Sequence, residues 1–168
     1  ADLDYPDAKS DFTNVFAERL QSEGLSIGAL APSDLADPKA PARVVEEAVE
    51  KFGPCTGLVL NHAYSTHAPL GEWTAEHIDS HLLVNVRASM LMIQAFTAQW
   101  KQKGQSGDAT PSKEGRPSGA VTLFTSGQYL GPMIDEMAYA VSKEAIRCLC
   151  EQTAAALGPE NIRVNCVN

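Results

Sequence analysis

The stretch TGLVLN at residues 56–61 decides the fold, because it is apolar at consecutive positions and too short for a helix. Such a run is typical of a parallel strand that helices cover on both faces. AVTLFTS at 120–126 and IRVNCVN at 162–168 have the same character. Helical patterns separate the three runs, so the sequence predicts a parallel α/β sheet.

Three helices are predicted around these strands. Asp37 supplies an N-cap for a helix over 38–52, where apolar residues recur at helical spacing. Thr74 can cap a longer helix over about 75–100 that is apolar almost all round, and a third helix spans 137–157. The long helix is therefore expected to be buried on two sides, against the sheet and against a partner helix.

The remaining segments complete a single predicted domain over residues 1–168. A helix at 10–23 and a short strand at 25–31 precede the elements above. Residues 101–119 contain no large apolar side chain and are rich in Gly, Ser, Pro and charge, which predicts an exposed, mobile loop.

Composition excludes several classes of partner. The formal charge is −8 and the basic residues are scattered, which argues against binding nucleic acid or an anionic membrane. Nothing resembles a signal peptide, and no apolar run approaches the roughly twenty residues that span a bilayer. The cysteines lack the spacing of a zinc site, so we expect reduced, mostly buried thiols in a cytoplasmic protein. They are Cys55, Cys148, Cys150 and Cys166.

The chemistry of the chain is concentrated in SGQYLGPMIDEMAYAVSK at 126–143. Tyr139 and Lys143 are four residues apart in a predicted helix, so their side chains share one face. An ammonium group near a phenol favours the phenolate and so promotes proton exchange. Ser126 ends a buried strand, which is where open α/β sheets bind ligands. The alternative is an ordinary pair of side chains on a solvated helix.

These residues resemble the signature of the short-chain dehydrogenase/reductase family, a strand-end serine followed by Tyr-x-x-x-Lys. NHAY at 61–64 is similar to the family's Asn-Asn-Ala-Gly turn, and VNV at 84–86 places Asn85 at its fourth catalytic position. The resemblance extends over essentially the whole chain, including 162–168. It implies an NAD(P)-dependent oxidoreductase that interconverts a secondary alcohol and a ketone, similar to the 3-oxoacyl-carrier-protein reductase branch.

The resemblance also implies a role for each catalytic position. Tyr139 would be the general acid or base, and Ser126 would orient the substrate oxygen. Lys143 would favour the tyrosinate and hydrogen-bond the nicotinamide ribose. Asn85 would interrupt the regular hydrogen bonding of the long helix and hold a water that continues the proton relay.

Cofactor contacts are implied in the same way, and no metal is implied. Two turns resemble the family's cofactor-binding turns, through Asp34, Leu35, Asn61 and Ala63. Asp2, with Asp4 as the alternative, would bind the adenosine ribose hydroxyls and favour NAD over NADP. Tyr139 and Lys143 would also contact the cofactor.

Two departures from the family pattern shape the expected fold. The glycine-rich phosphate loop is absent, and ADLDYPD at 1–7 resembles the tail of the second strand. We therefore expect a partial doubly wound, Rossmann-like parallel sheet from a chain truncated at both ends. It would lack the first strand, the glycine-rich loop and most of the second strand, and the 25–31 strand would be displaced or poorly paired. Tyr64 replaces a glycine and adds bulk beside the nicotinamide pocket.

Two other classes of protein are alternatives to the dehydrogenase. A serine hydrolase would use Ser126 with a histidine, but the Gly-x-Ser-x-Gly elbow is missing. His77 and His81 are four apart on a helix without a third ligand, so they are expected to be exposed polar residues. A non-catalytic dehydrogenase-like subunit or fragment, inactive without its phosphate loop, is the second alternative.

Self-association is the last expectation. The apolar girth of the 75–100 helix and the family resemblance predict a homodimer or homotetramer through helices 75–100 and 137–157. The other partner would be a small carbonyl or alcohol substrate.

Overall fold

The computed structural model describes residues 19, 22–24, 28, 30–105 and 119–168. It divides the chain into two compact units, Ala1–Ala31 and Pro32–Asn168, and every element below belongs to the second. Several predictions therefore lie wholly or mostly outside the described residues. They are the helix at 10–23, the strand at 25–31, most of the 101–119 loop, and the roles of Asp2 and Asp4. The single-domain organisation remains a prediction.

Three parallel strands form the sheet, in the order β1-β2-β3. Their bounds are β1 Gly57–Leu60, β2 Gly119–Phe124 and β3 Ile162–Val167. Leu60 pairs with Leu123, and Phe124 pairs with Val167, so the carboxyl ends of the strands meet at one edge. The predicted contiguous sheet is confirmed, with each strand ending one or two residues earlier than the sequence pattern indicates.

Four α-helices accompany the sheet in the described part of the second unit. Their bounds are α1 Ala40–Phe52, α2 Ala75–His81, α3 Ala88–Gln105 and α4 Met137–Leu157. A π-helical turn, Leu82–Arg87, joins α2 to α3, and 3-10 turns occupy Gly127–Tyr129 and Gly158–Glu160. The predicted long helix thus contains a π-helical turn. The 101–119 segment begins as helix and ends as strand, so the predicted loop is too long at both ends.

Capping explains where two of the helices begin. The Thr74 hydroxyl accepts a hydrogen bond from the His77 amide at 3.1 Å, as the sequence predicts. Asp37 instead accepts from the Lys39 amide at 2.9 Å, within a turn, and Lys39 occupies the N-cap position. Helix α1 therefore starts two residues later than predicted.

The core lies between one face of the sheet and helices α3 and α4. Alternate strand residues point into it because side chains alternate across a strand. Its buried members include Phe96, Val121, Leu123, Ile146 and Ile162. Val59, on the other face, is 65% exposed. The helices of the described ranges therefore cover one face of the sheet only. The apolar character of the strands instead predicts helices on both faces.

Two further sequence expectations meet the structure here. Cys150 is buried, but Cys148 is exposed and the other two cysteines are intermediate, so the thiols are not mostly buried. All four are free. Among the helices of the described ranges, none combines the length and the apolar character that crossing a membrane requires.

Gly119 is a close approach point in the core and gives a first prediction. A Cβ atom there would lie 2.9 Å from Ile162 Cγ1 and 3.4 Å from Trp100 Cε2, and Ile162 is only 1% exposed. We expect Gly119→Ala to lower the free energy of unfolding by about 1–3 kcal/mol through overpacking. Urea denaturation measures the change. Gly131→Ala is the matched control, because a Cβ there meets nothing within 4 Å; equal losses in the two variants would contradict the packing.

Candidate active site

The candidate site lies at the carboxyl edge of the parallel sheet, where ligands bind in open α/β folds. Asn61 directly follows β1, Ser126 lies two residues beyond β2, and Asn168 follows β3. Tyr139 is in the first turn of α4, and Lys143 follows one turn later. The sequence-predicted residues thus come from consecutive strand ends and from the start of one helix.

Lys143 and Tyr139 lie together. The Lys143 side chain is only 5% exposed, and its Nζ donates a hydrogen bond to the Phe124 carbonyl at 2.9 Å. The same Nζ lies 5.6 Å from the centroid of the Tyr139 ring. The last residue of β2 therefore anchors the ammonium group beside the phenol, and two further Nζ hydrogens remain for other acceptors.

Burial shapes the charge of this lysine. Loss of solvent lowers the pKa of Lys143 from its ordinary value, and the Cys166 thiol acts in the opposite direction. A buried ammonium interacts more strongly with nearby charge than one in water, because the surroundings screen it less. Lys143 is therefore well placed to stabilise negative charge on a neighbouring oxygen.

Ser126 extends from the end of β2 toward the same edge. Its backbone is extended, and its amide donates to Gln128 Oε1 at 3.0 Å. The residue is half-buried. Among the described residues no hydrogen bond joins the Ser126 hydroxyl to Tyr139 or to a histidine. Ser126 thus lies two residues after Phe124, whose carbonyl anchors Lys143, and within the described ranges its hydroxyl is not engaged by a hydrolase-type base.

Asn85 is the most connected side chain of the site. It is 2% exposed and lies in the π-helical turn. Its Oδ1 accepts from the Tyr64 amide at 2.6 Å, and its Nδ2 donates to the Tyr64 carbonyl at 2.9 Å. Nδ2 also donates to Ser142 Oγ at 2.8 Å. One amide therefore joins the segment after β1, the π-helical turn and helix α4.

Ser142 extends this network to the tyrosine, and sequence reasoning missed it. Its Oγ donates to the Tyr139 carbonyl at 2.7 Å while accepting from Asn85. Ser142 is fully buried. The available signal was its position, a small hydroxyl residue directly before Lys143 on the inner face of the helix.

The backbone of Asn85 has its own partner. Its carbonyl accepts from Ser89 Oγ at 2.6 Å, and Ser89 Oγ lies 3.3 Å from His62 Nε2. A π-helical turn displaces the regular hydrogen-bond ladder and is frequent at functional sites. Burial lowers the pKa of His62, the Val84 carbonyl raises it, and the Lys143 charge lowers it further. His62 is thus close enough to the lysine to sense its charge.

The structure describes both turns that are predicted to bind the cofactor. Asp34 Oδ1 accepts from the Ala36 amide at 2.8 Å, and Leu35 packs against the core. The Arg87 guanidinium donates to the Ala36 carbonyl, which ties this turn to the π-helical turn. On the other turn, Asn61 and Ala63 are exposed after β1 and remain accessible to a ligand.

The histidine pair differs from expectation. His81 is 0% exposed and His77 is half-buried, so the prediction of exposed polar residues is wrong. The His81 ring packs edge-on against the Tyr64 ring, with centroids 4.9 Å apart. The bulk that Tyr64 adds in place of glycine is therefore in contact with His81. Within the described ranges no cluster of three potential metal ligands occurs.

Comparison with known proteins identifies the family. Residues 3–168 match the family model described as enoyl-(acyl carrier protein) reductase. The two curated relatives described below are named as an oxidoreductase and as a dehydrogenase/reductase of the SDR family. The chain belongs to the short-chain dehydrogenase/reductase family, a class of Rossmann-fold oxidoreductases.

Two curated relatives illustrate the similarity. The chain is 32% identical over 154 residues to the uncharacterized oxidoreductase YjdA of Bacillus subtilis (strain 168), covering 90% of this chain and 57% of that protein. It is 33% identical over 150 residues to dehydrogenase/reductase SDR family member 4 of Homo sapiens, covering 88% and 49%. The chain thus spans about half the length of the curated relatives it matches.

A solved structure agrees in fold. The blue fluorescent protein from a metagenomic library, in complex with NADPH, superposes with a TM-score of 0.73 at 27% identity. The match covers 92% of this chain and 57% of that one. The Rossmann-like α/β fold predicted from the sequence is confirmed.

The Asn85 network generates the second prediction. Replacing Asn85 with alanine leaves the Tyr64 amide and carbonyl without their partner, and Ser142 Oγ keeps only its bond to the Tyr139 carbonyl. Because unpaired buried polar groups cost about 1–3 kcal/mol each and some relax, we expect a loss of roughly 2–4 kcal/mol in the free energy of unfolding. Urea denaturation gives the value. Gln94→Ala, at an exposed position of α3, should change stability by less than about 0.5 kcal/mol; a similarly small loss for Asn85→Ala would contradict the network.

Proposed function

We propose that the whole protein is an NAD(P)-dependent oxidoreductase that interconverts a secondary alcohol and a ketone, with Tyr139 as the general acid or base. The observation that carries this proposal is the buried Lys143 ammonium. It is anchored on the Phe124 carbonyl and lies 5.6 Å from the Tyr139 ring centroid. A buried cation beside a phenol, at the ligand-binding edge of a parallel sheet, suits proton transfer better than a structural ion pair.

The residues at this edge fit the nicotinamide end of a dinucleotide. Lys143 retains donors beyond its bond to Phe124, and a ribose hydroxyl is a suitable acceptor. Asn61 and Ala63 are exposed at the end of β1, where a bound ring would lie. When bound, a nicotinamide dinucleotide supplies or accepts the hydride at the reacting carbon. We assign Lys143, Asn61 and Ala63 to this half of the cofactor, and Asp34 with Leu35 to its adenine end.

Proton movement is the task of this chain's own side chains. In the direction of reduction, Ser126 Oγ donates a hydrogen bond to the substrate carbonyl oxygen and Tyr139 transfers its phenolic proton to that oxygen. The Lys143 ammonium stabilises the negative charge left on the tyrosine oxygen. In oxidation the tyrosinate takes the proton from the alcohol. Each step follows general acid–base chemistry, in which one positioned group moves one proton.

Asn85 has a positioning role in this mechanism. Its amide joins Tyr64 to Ser142, and Ser142 bonds to the Tyr139 carbonyl. The first turn of α4 is thereby fixed relative to the end of β1. We place the water that the family resemblance implies for Asn85 on its backbone carbonyl, where the water would share that oxygen with Ser89 Oγ.

The finer part of the proposal concerns which dinucleotide and which substrate the protein uses. NADPH accompanies one solved relative and NADP others, while Asp2 in the sequence favours NAD. Initial rates with NADH and with NADPH, measured for the wild type and for Asp2→Ala, decide between the two dinucleotides. A preference for NADH that is lost in Asp2→Ala supports the assignment of Asp2. A carbonyl panel including 3-oxoacyl thioesters tests the reductase branch.

Self-association through helices 75–100 and 137–157 is part of the proposal. Met90 is 52% exposed and Val141 is 63% exposed, so both helices present apolar side chains outward. Burying such surface between subunits would stabilise a dimer or tetramer. A monomeric mass of the whole protein in sedimentation would overturn this.

A cytoplasmic location is proposed from the unpaired cysteine pattern, and cell fractionation checks it.

The catalytic assignment yields the third prediction. Tyr139→Phe removes the proton donor and retains the ring, so kcat should fall by at least about 100-fold. Cofactor affinity should fall less, because Lys143, Asn61 and Ala63 remain to bind the nicotinamide half. Oxidation of the reduced cofactor, followed with a carbonyl panel, measures the rate. NADH or NADPH fluorescence enhancement measures binding.

Tyr129→Phe is the matched control. Tyr129 is 63% exposed, and its hydroxyl accepts from Asn168 Nδ2 at 3.0 Å, so its loss should leave kcat within a factor of about three. Retained activity in Tyr139→Phe would refute the assignment of Tyr139. Cofactor binding without turnover of any carbonyl by the wild type would favour the non-catalytic subunit.

A further inference from the structure

Besides the bonds between Tyr64 and Asn85, the segment of residues 64–68 is tied to two further parts of the molecule. Toward α4, Ser65 Oγ donates to Glu136 Oε1 at 3.1 Å, and the Ala68 amide donates to the Asp135 carbonyl at 2.9 Å. Toward α2, the Thr66 amide donates to His81 Nε2 at 3.2 Å. The 64–68 segment therefore bridges the helix that carries His81 and the start of the helix that carries Tyr139.

The hydrogen bonds of His81 define its protonation state. Nδ1 lies 2.8 Å from the His77 carbonyl, which can only accept, so Nδ1 carries the proton. Nε2 faces the Thr66 amide, which can only donate, so Nε2 presents its lone pair. The ring is 0% exposed. Both nitrogens are satisfied only when His81 is neutral and protonated at Nδ1.

We propose that His81 is a positioning residue whose neutral ring holds the 64–68 segment beside the start of α4, and whose protonation releases that segment. A proton on Nε2 would face the Thr66 N–H and remove the acceptor that the amide uses. The cation would also be formed in a site without solvent. The bond between His81 and Thr66 therefore exists in one charge state of the ring only.

Some of the charged and titratable groups around His81 favour its protonated form, and others disfavour it. On its own helix, the His77 ring lies 4.7 Å away between centroids and disfavours a positive charge on His81. From the start of α4, the Glu136 carboxylate favours the cation. From the 64–68 segment, the Tyr64 ring contacts the imidazole edge-on at 4.9 Å. Burial and the histidine neighbour thus work against Glu136.

The combined effect of these groups favours the neutral form of His81. Burial lowers the pKa of His81 below its ordinary value near 6.5, the bond to the His77 carbonyl raises it, the His77 ring lowers it, and Glu136 raises it. Because the folded-state pKa is below the unfolded value, the unfolded chain binds the proton first as the pH falls. The stabilisation from neutral His81 is complete above about pH 6.5 and is lost as the pH falls through the folded-state pKa.

The link to catalysis rests on the proposed function of Tyr139. Asp135 and Glu136, which the 64–68 segment contacts, directly precede α4, and Tyr139 is in its first turn. Release of the segment would loosen one support of that turn. Turnover should then show an acidic limb whose midpoint matches the titration of His81.

Trp73 provides a readout that does not depend on activity. Its indole Nε1 donates to the Ala68 carbonyl at 2.9 Å, so its fluorescence reports on the end of the 64–68 segment. The experiment records tryptophan emission of the whole protein from about pH 8 to about pH 5, the range in which histidine titrates. Trp73→Phe isolates the contribution of Trp73 from that of Trp100. We expect a reversible transition with a midpoint below about 6.5, while far-UV circular dichroism stays unchanged.

Three variants separate His81 from its neighbours. His81→Gln keeps an amide oxygen for Thr66 and does not titrate, so the transition should disappear. His67→Gln is the matched control, since His67 is an exposed histidine of the same segment, 3.8 Å from Glu136, and the transition should persist. Glu136→Gln removes the favourable charge and should move the midpoint to lower pH.

A wild-type measurement covers the case in which His81→Gln does not fold. In nuclear magnetic resonance spectra the His81 ring and the Thr66 amide should titrate with one common midpoint. A transition retained in His81→Gln, a flat Trp73 signal in the wild type, or a Thr66 amide that ignores the His81 titration would each overturn the proposal. Absence of turnover with a normal Trp73 transition would instead count against the proposed function alone.

Discussion

The arrangement of the site depends on one buried amide. Asn85 contacts the backbone of Tyr64 through both of its polar atoms and reaches Ser142 on α4. In a dry environment each of these groups needs a partner, so the amide sets the distance between the end of β1 and the start of α4. The π-helical turn presents Asn85 at this point. Helix geometry, strand ends and tyrosine position are thus coupled through a single side chain.

The buried charge of Lys143 is the second constraint. Removing an ammonium from water is costly unless acceptors replace the solvent, and the Phe124 carbonyl supplies one. The lysine is therefore held against β2 and beside Tyr139. A cation in this position costs stability in the free protein, and in the proposed mechanism it would stabilise the negative charge that proton transfer creates. A loss of stability that accompanies electrostatic stabilisation of a charge is typical of functional sites, in which local stability is lower than packing alone would allow.

Much of this could be predicted from sequence, because strands and helices follow from local patterns of apolar residues. The runs at β1, β2 and β3 and the spacing of Tyr139 and Lys143 are local signals of this kind. The π-helical turn, the burial of His81 and the role of Ser142 depend on which residues meet across the fold, and spacing does not encode that. The sequence predicts an exposed His81 because the His77 and His81 pair lacks a third ligand, yet the ring is buried and its partner Thr66 is fifteen residues away. The late start of α1 likewise reflects Asp37 bonding within a turn.

The central claim is that the Asn85 amide and Ser142 act as one unit that fixes α4 against the end of β1. A double-mutant cycle of Asn85→Ala and Ser142→Ala, measured by urea denaturation, tests it most directly. Because the two side chains share a buried hydrogen bond, we predict a coupling energy of about 1 kcal/mol or more, with the double variant less destabilised than the sum of the singles. Additivity of the two losses to within about 0.3 kcal/mol would contradict the claim.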